Sequence, residues 1–167
     1  MIFVTAGTHE QQFNRLAAYI DNLKCDGKLS EDVFIQTGFC TYEPKCCEWS
    51  KLIPYARIEK FVEDARIIIT HGGPSSFIMP LQIGKNPIVV PRQIKYKEHV
   101  NDHQVDFVKR AAEHMGIIPV FDIDDLGNII ENYDRIVLSM NNKMVSNNKS
   151  FNKELERIVQ DLFLEEK

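Results

Sequence analysis

Short apolar runs alternate along this chain with longer segments whose apolar residues recur at helical spacing. Five runs are apolar at most positions, which is typical of strands buried in a parallel sheet: residues 1–5, 32–36, 66–70, 87–91 and 117–121. Helical spacing is found over residues 12–26, 75–83, 101–115 and 126–140, and a glycine follows each of the first three. The alternation predicts an α/β fold, a Rossmann-like doubly wound parallel sheet with helices on both faces.

Two stretches have different patterns. Residues 39–54 are irregular and aromatic, and residues 55–58 are predicted to form a short strand before one or two helical turns. Residues 150–165 are predicted to form an amphipathic helix, whose apolar face carries Phe151, Leu155, Ile158, Val159, Leu162 and Phe163. This last helix either packs on its own domain or faces a partner.

Composition favours one globular domain over residues 1–167, because 44% of the residues are hydrophobic, 26% are charged and the length leaves no room for two doubly wound units. The formal net charge of −4 disfavours general nucleic-acid binding, which normally needs a basic excess. No run reaches the roughly 18 apolar residues of a membrane span, and the basic start of a secretory signal is missing. We therefore expect a cytoplasmic chain.

The four cysteines are Cys25, Cys40, Cys46 and Cys47. Their spacing does not match the paired C-x2-C arms of structural zinc sites. In a reducing compartment we expect all four to be free thiols without a functional role.

Ligands of doubly wound sheets bind beyond the carboxyl ends of the strands, so the segments that follow strands are the candidate sites. The first is the loop that begins with Gly7, Thr8 and His9. Its glycine permits close approach of the backbone to a ligand, and the helix start that follows offers free N–H groups to an anion. The two further glycines of a dinucleotide fingerprint are missing, and an ordinary structural turn is the alternative.

The second candidate is the run His71-Gly72-Gly73-Pro74-Ser75-Ser76. Two glycines allow tight approach, the proline suits the first turn of a helix, and two hydroxyls lie beside the positive end of that helix. These features predict a cradle for a diphosphate. It is not a P-loop, because Met79 stands where that motif needs its earlier glycine, and a capped helix corner is the alternative.

The third candidate is residues 91–104, which combine a basic patch of Arg92, Lys95 and Lys97 with a polar cluster at a helix start. Amide and carboxylate groups such as those of Asn101, Asp102 and Gln104 suit the hydroxyls of a sugar. The alternatives are a helix start capped by Asn101 and a metal site at His99 and His103, although no third ligand is evident.

A fourth segment, Asp122-Ile-Asp124-Asp125, is similar to the D-x-D motif of metal-dependent sugar transferases. The same residues can cap the helix that follows, and we favour capping.

The ordered motifs resemble one group of sugar transferases. They are Phe3-Val-Thr-Ala-Gly7-Thr-His-Glu-Gln11 with Phe13 and Arg15, Ile35-Gln-Thr-Gly38 with Tyr42-Glu-Pro44, His71-Gly-Gly-Pro74, and Pro91-Arg92 with Glu98-His-Val-Asn-Asp-His-Gln104. The chain resembles the PssE/EpsF-like bacterial polysaccharide glycosyltransferases over residues 1 to about 122. These belong with MurG and the cytosolic subunit of the eukaryotic two-part N-acetylglucosaminyltransferase in the glycosyltransferase family 28 C-terminal group.

The resemblance implies the C-terminal, donor-binding half of a GT-B enzyme that binds a UDP-sugar. It implies a diphosphate near the first loop and the glycine turn, uracil held by the backbone around Arg57 and Ile58, and the sugar at residues 101–104. MurG-like relatives place a glutamate on the ribose where this chain has Met79. The implied substrate-binding residues are Gly7, Thr8, Gly38, Arg57, Ile58, His71, Gly72, Gly73, Pro74, Ser75, Ser76, Arg92, Asn101, Asp102, His103 and Gln104.

The implied reaction is a single inverting transfer of a hexose, galactose or glucuronic acid, to a polyprenyl-diphosphate-linked sugar in capsular or exopolysaccharide biosynthesis. His9 is the candidate base unless a partner supplies it, and helix N-termini with Arg92 stabilise the leaving diphosphate in place of a metal. The implied partner is a membrane-anchored PssD/EpsE-like subunit that holds the acceptor and recruits the chain to the inner membrane face. The alternatives are a non-catalytic accessory subunit that binds UDP-sugar, and a metal-dependent GT-A transferase using Asp122 and Asp124.

Overall fold

The computed structural model describes residues 1–140 and 148–164, and within the last helix it describes side chains for residues 152–160. Its centre is a six-stranded sheet in which all neighbouring strands are parallel. The strands are β1 (Ile2–Thr5), β2 (Val33–Gln36), β3 (Glu48–Ser50), β4 (Ile67–His71), β5 (Ile88–Val90) and β6 (Ile118–Pro119). The predicted α/β class is confirmed.

The strand order is β3-β2-β1-β4-β5-β6, the order of a Rossmann-like doubly wound sheet. β1 pairs with β2 on one side and with β4 on the other. The strands after β1 are added on one side of it and those from β4 onward on the other, so the sheet has its switch point between β1 and β4. In register, Thr5 lies beside Thr70 at the carboxyl ends of these two strands. The loops after β1 and β4 therefore start at the crevice where such sheets bind ligands.

The described part of the chain contains seven α-helices. They are α1 (Asn14–Cys25), α2 (Tyr55–Asp64), α3 (Pro74–Gln82), α4 (His103–Ala112), α5 (Leu126–Glu131), α6 (Tyr133–Ser139) and α7 (Asn148–Leu164). The predicted glycine stops after α1, α3 and α4 are confirmed: Gly27, Gly84 and Gly116 follow those helices with positive φ.

The helices pack on the two faces of the sheet through alternate strand residues. Ile2 and Val4 point into one core, which α1, α5 and α6 cover. Phe3 points to the opposite face and packs with Phe34 and Val62 of α2. On that same face, α3 and α4 enclose a third cluster around Phe77 and Val108. This period-two alternation is what a strand buried on both faces requires.

Three predictions of secondary structure need correction. Residues 55–58 are not a strand but the first turn of α2, because Ile58, Phe61 and Val62 have helical spacing and pack on the sheet. The region predicted as irregular contains β3, whose short and partly exposed run has no strand-like pattern. The single helix predicted over residues 126–140 is divided at Asn132 into α5 and α6.

The prediction of four free thiols is wrong, because Cys25 and Cys46 form a disulfide 21 residues apart. Cys40 and Cys47 are free and buried. The sequence spacing could not predict the pair, because the loop before β3 folds back onto the end of α1.

The C-terminal helix α7 extends over residues predicted to be helical. Its side chains from residue 152 to 160 are exposed, including Leu155, Ile158 and Val159 at 47%, 46% and 42%. The side chains of Phe151, Leu162 and Phe163, and the predicted helix end at residue 165, lie outside the described residues. Within the described residues, no helix is both long and apolar enough to cross a membrane.

Candidate functional site

The crevice at the carboxyl ends of β1 and β4 brings the first two sequence candidates together. Gly7 follows β1 with φ +77°, and a Cβ atom built on it would lie only 2.3 Å from Nε2 of His71 at the end of β4. A Cβ on Gly38, after β2, would lie 2.2 Å from the carbonyl oxygen of Gly7. Both distances are too short for any side chain. The loops after β1, β2 and β4 can therefore meet here only because Gly7 and Gly38 have none.

His71 is fixed by two hydrogen bonds within its own turn. Its Nδ1 accepts from the backbone N–H of Gly73 at 2.9 Å, and its Nε2 lies 2.8 Å from Oγ of Ser76. Because Nδ1 accepts, the proton of a neutral ring is on Nε2 and is donated to Ser76. The Ser76 hydroxyl then keeps its own proton for another acceptor, such as an oxygen of a ligand.

His71 is held neutral by its surroundings. Burial is the largest cause, and together with the positive charges of Arg92 and His9 it lowers the pKa of the imidazole to about 4. On the other side of the ring, a Cβ on Gly73 would lie 2.3 Å from Cε1. Gly7 and Gly73 therefore flank one neutral imidazole, and neither position has room for a side chain.

Helix α3 begins directly after this turn. Gly73 is its N-cap residue, and Pro74 occupies the first turn, where its missing N–H costs no hydrogen bond. Ser75 is exposed and Ser76 is partly exposed at this end. The positive end of the helix dipole and two hydroxyls thus face the crevice, which suits an anion.

A cavity of about 190 Å³ opens on one side of the turn. Its walls are mostly apolar side chains of the sheet, α2 and α3, and several hydroxyl groups and the amide of Gln36 are also in the lining. The lining residues are Phe3, Thr5, Gly7, Thr8, Gln36, Tyr55, Ile58, Val62, Ile68, Ser75, Ser76 and Met79. This combination fits a flat, largely uncharged group with a few polar edges.

A second cavity, of about 510 Å³, lies on the other side of the same turn between α3 and α4. It is more polar than the first. It is lined by Gly72, Gly73, Pro74, His103, Gln104, Asp106, Phe107 and Arg110. The glycine turn therefore separates a strongly apolar cavity from a more polar one, which we call the polar cavity.

Arg92 has a different position from the one predicted. Its side chain is 1% exposed, and its guanidinium donates to the carbonyl oxygens of Ala6, Gln11, Gln12 and Glu98 at 2.7–3.1 Å. With both Nη atoms directed at the main chain, Arg92 holds the loop after β1, and its remaining donor, Nε, is buried without a hydrogen-bond partner. We therefore replace its predicted ligand contact with a positioning role.

Glu98 and Arg15 extend this buried network. The Arg15 guanidinium binds both carboxylate oxygens of Glu98 at 2.9 Å and also donates to the carbonyl of Pro91. Glu98 is fully buried. The sequence analysis placed both residues in a family motif without a role, and the polar sequence around them, such as Lys97 and His99 beside Glu98, gives no sign of burial.

The polar cluster before α4 has mixed roles. Asn101 accepts from the backbone N–H of His103 at 3.2 Å and Asp102 accepts from that of Ile94 at 2.8 Å, so both help to fix the helix start. Gln104 accepts from the backbone N–H of Arg92 at 3.1 Å while it lines the polar cavity.

The histidines of this edge form a row of rings. His9 and His99 have centroids 4.9 Å apart, and His99 and His103 have centroids 4.4 Å apart. Burial lowers the pKa of His99. Among the described residues, the one group of three potential metal ligands within 4.8 Å of one another is Asp21, Cys25 and Cys46, and it does not include these histidines.

Of the remaining candidates, only Ile58 is among the residues that line the two cavities. Arg57 is exposed and stacks over the rings of Phe34 and Phe61, whereas its neighbour Ile58 lines the apolar cavity. His9 is exposed, and its Nδ1 accepts from the backbone N–H of Gln11. Asp122 accepts from the backbone N–H of Asp124 and so caps the short 3-10 turn Ile123–Asp125, whereas α5, the helix that the sequence analysis expected to be capped, has no side-chain cap at Asp125.

The sequence analysis missed the strand residues that form the floor of the apolar cavity. Thr5 donates to Oε1 of Gln36 at 2.7 Å and accepts from the backbone N–H of Gly7 at 3.1 Å. Phe3 and Thr5 are two residues apart on β1 and share one face. This alternation of side chains along β1 is visible in the sequence. The sequence analysis missed the two residues because it considered only segments that follow strands.

Comparison with known proteins gives one family match. The sequence matches the glycosyltransferase family 28 C-terminal domain over residues 1–162. No curated protein matches the chain significantly.

Two solved structures are similar in shape. One is the flavodoxin-like domain of a Synechococcus protein, at 10% identity and a TM-score of 0.48, covering 81% of this chain and 99% of that one. The other is the glycosyltransferase SnogD from Streptomyces nogalater, at 17% identity and a TM-score of 0.45, covering 86% of this chain. This chain spans 40% of the length of SnogD.

Proposed function

The chain belongs to the glycosyltransferase family 28 C-terminal domain family, and from this premise we propose that it binds a UDP-linked hexose as the donor half of a two-part GT-B enzyme. The observation that carries the proposal is the glycine turn between two unlike cavities. A nucleoside diphosphate sugar has the same order of parts: a flat base with ribose, a diphosphate, and a hydroxyl-rich ring.

Each of the three parts of such a donor has a candidate position among the described residues. The base and ribose would occupy the apolar cavity beside Ile58 and Met79. The diphosphate would lie over the N-terminus of α3, where the Ser76 hydroxyl is free to donate. The hexose, galactose or glucuronic acid, would occupy the polar cavity beside His103 and Gln104.

The reaction we propose is an inverting transfer without a bound metal. An acceptor hydroxyl oxygen forms a bond to the anomeric carbon as the bond from that carbon to UDP breaks, and a base takes the hydroxyl proton. The exposed His9 is the candidate base in this chain. The positive end of α3 stabilises the charge on the leaving UDP.

We further propose that the acceptor is a polyprenyl-diphosphate-linked sugar, held by a membrane-anchored PssD/EpsE-like subunit during capsular or exopolysaccharide synthesis. Such a subunit would recruit this chain from the cytoplasm to the inner membrane face. Helix α7 is a candidate docking element, because Leu155, Ile158 and Val159 are exposed on it.

Donor binding is tested by calorimetric titration of the chain with UDP, UDP-galactose, UDP-glucuronic acid and UDP-N-acetylglucosamine. The substitution Gly73→Ala forces a methyl group against His71, and we expect affinity for UDP to fall at least about tenfold. Gly127→Ala is the matched control, because its Cβ has only ordinary contacts at 3.4 Å or more. Equal affinity of the Gly73→Ala variant and the parent would contradict the proposed site.

Transfer is tested with the chain and its membrane subunit reconstituted together, with polyprenyl-diphosphate-linked sugar as acceptor. We expect His9→Ala to abolish transfer while UDP still binds. Full transfer by this variant would place the base on the partner, and loss of activity with EDTA that manganese restores would oppose the metal-free reaction.

Docking is tested by pull-down of the membrane subunit with an Ile158→Asp variant. We expect loss of binding, whereas Lys153→Gln, also exposed on α7, should bind as the parent does. Unchanged binding of the Ile158→Asp variant would rule out α7 as the docking element.

A further inference from the structure

A second chemical feature lies away from the candidate site, where the end of α1 meets the loop before β3. Cys25 is the last residue of α1, and Cys46 belongs to residues 40–47, which we call the strap. Both are exposed and joined as a disulfide. The other two cysteines, Cys40 and Cys47, are free and buried at 7% and 8% exposure.

The strap is held on α1 by Asp21, one helical turn before Cys25. The Asp21 carboxylate is fully buried and accepts four hydrogen bonds of 2.8–2.9 Å, from the Tyr42 hydroxyl and from the backbone N–H groups of Lys45, Cys46 and Cys47. Burial alone would raise the pKa of this carboxyl, but these donors hold it below its usual value. None of the four bonds involves a sulfur atom, so they keep Cys46 beside Cys25 whether or not the sulfurs are bonded.

We propose that Cys25 and Cys46 are a reversible thiol–disulfide site for small disulfides such as oxidised glutathione, and that Asp21 is the positioning residue that closes it. One cysteine thiolate attacks a glutathione sulfur, the glutathione S–S bond breaks, and one reduced glutathione leaves. The other cysteine attacks the protein sulfur of this mixed disulfide and releases the second glutathione. Two thiol protons pass to solvent or to the departing thiolates, and each glutathione takes one electron from the cysteine pair.

The surroundings of the pair determine how its rate depends on pH. An oxygen of Asp21 lies within 4.8 Å of both sulfurs, and Cys25 lies at the negative end of a helix dipole. Because the thiolate is the attacking species, the rate of oxidation should rise with pH. Cys47 shares the carboxylate but is shielded, since burial and Asp21 raise the pKa of its thiol to about 12.

The site is tested by reducing the full chain, exposing it to oxidised glutathione and quenching with acid. We expect the intact mass to fall by two hydrogen atoms, two thiols to remain after unfolding, and a peptide map to join Cys25 to Cys46. Dithiothreitol should restore four thiols. In the Cys25→Ser variant we expect one glutathione to stay on Cys46. Four thiols after oxidation, or a bond that includes Cys40 or Cys47, would overturn the proposal.

The role of Asp21 is tested by the rate at which the mixed disulfide converts to the closed pair. We expect Asp21→Asn to slow closure at least about tenfold, because a side-chain amide cannot accept from all four donors and the local concentration of Cys46 falls. Tyr42→Phe removes one of the four bonds and should give an intermediate rate. Parent-like closure in both variants would overturn the positioning role.

A thermal measurement needs neither variant. The closed pair removes entropy from the unfolded chain, so the oxidised chain should melt about 5 to 10 °C above the reduced chain. Equal melting temperatures would mean that the bond does not constrain the strap and would count against the proposed site.

Discussion

Protonation of His71 should destabilise the fold, because the glycine turn is built for a neutral imidazole. Nδ1 accepts from the backbone N–H of Gly73, so a second ring proton would place two donors against each other. The pKa of the folded chain is about 4, against 6.5 for an exposed histidine. As the pH decreases below 6.5, His71 is therefore protonated in the unfolded chain before it is protonated in the folded chain. The free energy of unfolding consequently decreases as the pH decreases.

The size of the effect follows from these two pKa values. The contribution of His71 is fully present above pH 6.5. Relative to neutral pH, the loss of unfolding free energy is about 1 kcal/mol at pH 6, about 2 kcal/mol at pH 5 and about 3 kcal/mol at pH 4. Below pH 4 the folded chain is protonated as well, and this contribution stops changing.

The assay is urea unfolding of the parent and a His71→Asn variant at intervals from pH 7 to pH 4. Other groups also titrate in this range, so the measured quantity is the difference between the two unfolding free energies at each pH. We expect that difference to shrink by about 3 kcal/mol from pH 7 to pH 4. His114→Asn serves as the control, since its side chain is 81% exposed, and should leave the curve parallel to the parent. A pH-independent difference for His71→Asn would refute the neutral imidazole.

Three further predictions test the fold and the site. Arg92→Met should lower the free energy of unfolding by about 3 kcal/mol in urea, because four main-chain carbonyls lose their buried donor. Lys85→Met should lower it by about 1 to 2 kcal/mol, since the Lys85 ammonium binds three carbonyls at the end of α2. Met79→Trp should fill the 190 Å³ cavity and abolish UDP binding in calorimetry, while the circular dichroism spectrum stays that of the parent.

The sheet could be predicted because most of its strands are apolar on both faces. Ile67–His71 is buried through nearly its whole length, and no helix pattern competes with it. β3 escaped prediction because pairing with β2, and not its own composition, makes it a strand: Glu48 is exposed, yet it lies beside Phe34 in register. Helix α2 was misread because its first residues, Tyr55 to Ile58, also suit a short strand.

The site could be predicted as far as it depends on strand ends. Parallel strands bring their carboxyl ends to one edge, so Gly7, His71 and Gly73 were expected there. The structure confirms this contact, since a Cβ atom on either glycine would lie 2.3 Å from the ring of His71. The fold-back of Arg92 could not be predicted, because its acceptors Ala6 and Gln11 lie 86 and 81 residues away. The residues next to Arg92 in the sequence give no sign of such distant partners. Sequence analysis alone therefore assigns an arginine that follows a strand to ligand binding.

The position of Arg92 changes how the charge of a bound diphosphate would be balanced. The lining of the apolar cavity contains no charged residue among those described, and the cation of the polar cavity is Arg110 on α4. The positive charge of Arg92 acts on His71, but its guanidinium is bonded to main-chain carbonyls, so the groups of the turn itself that face a diphosphate are the end of α3, which amounts to about half a positive charge, and the hydroxyls of Ser75 and Ser76. A diphosphate carries more negative charge than these groups neutralise. If the proposed function is right, the opposing subunit is the natural source of the missing cations, and the chain alone should hold UDP more weakly than the assembled enzyme does.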